Sequence, residues 1–189
     1  MPDRVERWTF IAGLVVFLAG QIGINAFGAM TKDEIAVDVI HWLMLIGVVL
    51  MIPFAANLPR KGLAMILSPL LLLGIVGVIG MCVIDFVLWS LPEPQFRGDV
   101  ARALIDTGAV WQPFMRWGPG EVFVTGLALP SLLYVRESRW GSVLVAVGAF
   151  TMAAGTAWFN PIGYCFMIVG YVLNFRVLHP DPEGDLQNV

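Results

Sequence analysis

Apolar residues dominate six stretches of this chain, at 9–30, 37–57, 63–91, 121–134, 140–158 and 162–178, and short polar turns separate most of them. Several approach the roughly 20 residues a helix needs to cross a bilayer. Within them the polar and small residues recur at helical spacing, so they gather on single faces. The pattern predicts an all-α fold: a polytopic transmembrane helical bundle of about six spans, forming one domain over residues 1–180. The tail at 181–189, DPEGDLQNV, is polar, has nothing to bury and is expected to be disordered.

The third stretch is the longest, and Pro69 suggests a division of it. Residues before Pro69 would lie in the interface, Pro69 would open the membrane helix proper, and Trp89 would mark the opposite interface. Asp85 is its one carboxylate, on the face that also carries Met81, Gly77 and Gly74. On those boundaries it lies about 6 Å of helix rise from the interface, where ionisation costs less than at the midplane.

The connection at 92–120 is the one long segment between stretches. Asp99 as N-cap, Gly108 as C-cap and the i,i+4 pair Arg102 and Asp106 predict a short helix over 99–107. Val110, Trp111, Phe114, Met115 and Trp117 then predict an amphipathic segment in the outer headgroup region, acting as a lid or as packing. Gly118-Pro119-Gly120 ends it, and Glu121 opens the fourth span.

Each polar group inside a span has a structural and a functional reading. Gln21 and Asn25 share a face of the first span, either as interhelical hydrogen-bonding groups or as the wall of a polar pocket. Asp38 and His41 share a face at the start of the second, where the helix dipole alone accounts for the acid, while the pair together has the makings of a proton-sensitive site. Glu121 shares a face with Thr125, Ala128 and Leu132 and divides between helix dipole and pocket in the same way. In the fifth span Gly141, Gly148 and Gly155 repeat beside a strip of Ser142, Ala146, Ala149, Ala153 and Thr156, a close-packing surface. Gly163, Met167, Gly170 and Asn174 form the matching face of the sixth.

Composition fixes the solvent. With 58% hydrophobic and 13% charged residues the chain is built for lipid, and a net charge of −3 without a basic stripe argues against a nucleic-acid partner. Cys82 and Cys165 sit in apolar runs without metal-ligand spacing and are expected as buried free thiols, and His179 is too remote to join His41 in a haem site. No metal or other cofactor is predicted. The first stretch lacks a cleavage pattern and reads as a retained span.

The positive-inside rule orients the bundle. Arg4, Arg7, Arg60, Lys61, Arg136, Arg139 and Arg176 fall on one side, against Lys32, Arg97, Arg102 and Arg116 on the other, which puts both termini in the cytoplasm of a multi-pass cell-membrane protein. Asp38, His41, Asp85 and Glu121 then map to the outer half and form the candidate polar site; Gln21, Asn25 and Asn174 are assigned to helix packing.

The Gly-rich first span, the run HWLMLIGVVLMIPFAANLPRKG and the closing SRWGSVLVAVGAF to GYVLNFRVL hairpin resemble uncharacterised small six-span bacterial membrane proteins of unknown function. The resemblance is one of hydropathy and transfers no catalytic motif. Three function classes follow: a non-enzymatic accessory or scaffold subunit, or binder of lipid or a small apolar ligand; a small proton-coupled transporter or channel using the four outer residues; and an intramembrane enzyme, for which neither a nucleophile nor a metal set is present. The first is the expectation, with the bilayer, a partner subunit or a second copy of the chain as partners.

Overall fold

The computed structural model describes residues 2–27, 34–155 and 158–176. The turn at 31–33, Gly28, Thr156, His179 and the tail lie outside them. Every element among the described residues is helical: α1 (Arg4–Phe27), α2 (Glu34–Ala56), α3 (Ala64–Trp89), α4 (Pro94–Thr107), a π-helical stretch (Gln112–Val122) running into α5 (Phe123–Ala128) and a 3-10 stretch (Leu129–Tyr134), then α6 (Arg139–Ala153) and α7 (Phe159–Asn174). Three of them, over Arg4–Ala26, Val37–Ala56 and Ala64–Trp89, are long and apolar enough to cross a membrane, while α6 and α7 are shorter apolar helices.

Helix starts are set by local chemistry. α1 opens on a reciprocal capping box, with the Glu6 backbone N–H donating to Asp3 Oδ1 and the Asp3 N–H to Glu6 Oε2, both at 2.8 Å. This draws the helix back to Arg4, ahead of the apolar run that begins at Thr9. Ser138 caps α6 by accepting from the Gly141 N–H at 3.0 Å. α3 starts at Ala64, before Pro69 rather than at it. Ala64 and Leu67 are buried in the core, so one face of the turn ahead of the proline packs on the bundle while Met65 and Ile66 are exposed. α4 begins at Pro94, earlier than the expected Asp99, because Pro94 suits a first helical position, and it ends on Gly108 at φ 68°.

Neighbouring helices run antiparallel, and glycines set how closely they approach. A Cβ on Gly13 of α1 would sit 2.5 Å from the Gly47 carbonyl oxygen of α2, and one on Gly47 would sit 2.8 Å from that of Gly13. α6 and α7 mesh in the same reciprocal way at Gly148 and Gly163, 2.5 and 2.6 Å. The glycines Gly141 and Gly148 dock on the face of Gly163, Met167, Gly170 and Asn174 as expected, but Gly155 does not take part. Gly155 lies beyond the end of α6 at φ +80°, used for its backbone freedom rather than for packing.

The largest departure concerns residues 112–134. They form one unbroken helical rod packed along α3, with Gly118 against Gly77, Phe114 against Gly80 and Phe123 against Gly74. The apolar residues of 112–117, expected in the headgroup region, therefore belong to a bundle helix. Only α4 remains as a peripheral element, burying none of its residues. Arg97 ties α4 to the end of α3 by donating to the carbonyls of Leu88 at 2.9 Å and Leu91 at 3.0 Å while stacking on Trp89.

The core is closed at the Arg7 end by an aromatic cluster. Phe10 meets Phe54 and Tyr171 at ring-centroid distances of 4.2 and 4.8 Å, and Arg7 lies over the Tyr134 and Phe175 rings. The exterior is apolar too, with Phe150, Met65, Leu73 and Trp140 among the exposed side chains. Glycines at the helix contacts and large apolar side chains outside is the arrangement that lipid as solvent favours.

Candidate functional site

Polar groups gather at two places, one turn apart. The first is a hydrogen-bonded pair between α2 and α3. His41 Nε2 lies 2.9 Å from Asp85 Oδ2, and Nδ1 lies 2.8 Å from the Val37 carbonyl oxygen one turn back. A carbonyl only accepts, so Nδ1 carries a proton. The contact between Nε2 and Oδ2 then holds a single proton, on the ring or on the carboxyl, and the pair is neutral overall in both forms. Net neutrality is what lets such a pair sit among apolar helices, with the Asp85 side chain still 21% exposed. His41 is buried, and Phe86 approaches its ring edge-on at 5.9 Å while also meeting Trp42. Asp38 lies one turn before His41 on the same helix.

The second is a cavity of about 1000 Å³ enclosed by α1, α2, α3, the 112–134 rod, α6 and α7. Its polar groups are Gln21, Arg116, Glu121, Thr125, Ser131, Ser142 and Asn160; its apolar wall includes Phe17, Met44, Met81, Met115, Met152 and Tyr164. Methionine-rich walls adapt to ligands of varied shape. Leu132 and Phe150 line the cavity while 50% and 78% exposed, so it opens sideways onto the apolar flank of the bundle.

The four outer residues are thus divided. His41 joins Asp85, and Glu121 belongs to the cavity, whose walls include none of Asp38, His41 and Asp85. The separation is narrow, since the wall residues Met44 and Met81 stand one turn from His41 and Asp85 along their helices. Glu121 is also not in a first helical turn. Gly118 packs on Gly77 at the middle of the 26-residue α3, so Arg116 and Glu121 lie at mid-height of the bundle. Both line the cavity and are exposed. Sequence reasoning missed Arg116 because Gly118-Pro119-Gly120 looked like a break. In fact two prolines and two glycines widen the helix to i→i+5 bonding, with the Phe123 N–H reaching the Gly118 carbonyl, and do not end it.

The packing assignments also divide. Among the described residues Gln21 Nε2 meets only Met44 Sδ, at 3.7 Å, and the side chain lines the cavity. Asn25 donates to the Gln21 carbonyl of its own helix at 2.8 Å. Asn174 is buried against Gly141 and accepts from Ser142 Oγ at 3.4 Å, and its Nδ2 has no partner among the described residues. Ser142, Ala146, Ala149 and Ala153 line the cavity, Ser142 while also donating to the Ser131 carbonyl at 2.8 Å. The signal for this was present: glycines carry the α6–α7 contact, so the adjoining small side chains leave space. Cys82 is buried and Cys165 is exposed; both are free. No group of three or more metal-ligating side chains occurs among the described residues.

The chemistry within reach is binding of an amphipathic or apolar molecule in the cavity and exchange of one proton at the His41–Asp85 pair. Comparison with protein-family models, curated proteins and solved structures finds no match to this chain.

Proposed function

We propose that this chain is a six-span integral protein of the cell membrane, with both termini cytoplasmic, that binds a lipid or small apolar ligand in the cavity between its helices and acts without catalysis, as a binder or accessory subunit. The single observation that carries the reading is a cavity of about 1000 Å³, at the upper end of the range for small-ligand sites, opening on the apolar flank. Support for six spans comes from the antiparallel alternation of α1, α2, α3, the 112–134 rod, α6 and α7. Support for the orientation comes from the excess of Lys and Arg in the loops at the Arg7 end.

Mass spectrometry of material extracted from the chain after purification in mild detergent tests the proposal. A co-purifying lipid or apolar compound is expected at near-stoichiometric amount, and Ala146→Trp, which fills the cavity from its wall, is expected to expel it. Equal retention by both forms contradicts the reading.

The His41–Asp85 bond favours a second reading, a proton-coupled transporter. There Asp85→Asn, which cannot exchange the shared proton, abolishes proton-driven uptake in proteoliposomes; unchanged flux removes Asp85 from any mechanism.

A further inference from the structure

We propose that the occupant of the cavity is a zwitterionic phospholipid whose phosphate meets Arg116 and whose ammonium meets Glu121; this rests on the cavity being a ligand site. Arg116 and Glu121 line the same wall and are five residues apart in a π-helix, the step of its hydrogen bond, so they occupy successive turns on one side. Neither makes an ion pair or a hydrogen bond with another described residue. Both are exposed and stand level with the middle of α3, a depth at which, in the six-span arrangement proposed above, an uncompensated charge is costly.

The occupant follows by charge complementarity. A wholly apolar molecule would leave both groups unmatched. An anionic head would match Arg116 and set like charge against Glu121. A head with one group of each sign satisfies both, and the Gln21 amide, held only by its weak sulfur contact, adds hydrogen-bonding capacity on the facing wall.

The route in decides between a lipid and a water-soluble zwitterion. The opening lies between Leu132 and Phe150 on the apolar flank, so the occupant arrives from the hydrocarbon phase. Along α6 the cavity extends from Ser142 to Ala153, about 16 Å of helix rise, which leaves room for the upper part of an acyl chain beyond the head. The π-helical backbone belongs to the same picture, because irregular backbone at membrane depth is tolerated where it lines a cavity.

The test is a lipid titration of the delipidated full chain in detergent, read by native mass spectrometry. The probes are phosphatidylethanolamine, phosphatidylglycerol and diacylglycerol with identical chains. The expected order is phosphatidylethanolamine tightest, by about tenfold over phosphatidylglycerol, the size of one charge-assisted hydrogen bond. Glu121→Gln is expected to erase that advantage while phosphatidylglycerol still binds. Arg116→Gln is expected to weaken both phospholipids and leave diacylglycerol unchanged. The exchanged double variant, Arg116→Glu with Glu121→Arg, keeps one charge of each sign on the wall and recovers the preference even where a single variant is unstable. Equal binding of the two phospholipids by the unsubstituted chain, or a preference that survives Glu121→Gln, overturns the headgroup assignment alone. Absence of binding by all three probes overturns the cavity as a lipid site.

Discussion

The hydrogen bonds of His41 fix what each substitution at Asp85 does. With Nδ1–H committed to the Val37 carbonyl, Nε2 is free to accept, and an asparagine amide at position 85 can donate to it. Asp85→Asn should therefore change stability by less than about 0.5 kcal/mol. Asp85→Ala leaves a buried ring nitrogen without a partner and should cost about 1–3 kcal/mol in denaturation measured in detergent. Equal losses in the two variants would show that the pair does not hold α2 to α3. That His41 would find a carboxylate was legible in the sequence, since three acids, Asp38, Asp85 and Glu121, were placed near its depth. Which acid was not, because Asp38 shares its helix and only the antiparallel pairing of α2 with α3 brings Asp85 opposite.

At the scale of elements, glycine marks where backbones touch. Gly148→Leu would drive a side chain into the Gly163 carbonyl and is expected to destabilise the α6–α7 hairpin by about 1–3 kcal/mol or more. Val147→Leu, next to it on the exposed face, should stay within about 0.5 kcal/mol. Thermal melting monitored by circular dichroism separates the two; matching melts would contradict the packing. This contact was readable from the seven-residue glycine spacing. The 112–134 rod was not, since Pro113 and Gly118-Pro119-Gly120 carry every local mark of a loop. Packing of Gly77 on Gly118, over a separation that only the fold supplies, keeps those residues helical in a wider form. Tertiary contact outweighs local propensity there, and it relocates Arg116 and Glu121 as a consequence.

For the whole molecule, three helices long and apolar enough to cross a bilayer carry a bundle whose interior is small-residue contact, an aromatic plug near Arg7 and a cavity that opens sideways. The plug closes one end, and the exposed lining residues Leu132 and Phe150 mark the flank as the way in. The His41–Asp85 pair stands one turn behind the Met44 and Met81 wall. All of this depends on the depth of the charged wall. Spin-label depth measurement in bilayers tests it directly, using single cysteines at three exposed positions in a background with Cys82 and Cys165 replaced: Val76 at the middle of α3, Val87 near its far end, and Trp117 on the outer side of the π-helical stretch. The labels at 76 and 87 should differ by about 16 Å in depth, and the label at 117 should match the one at 76. A label at 117 that reports the depth of 87 would return this segment to the membrane surface and contradict the account.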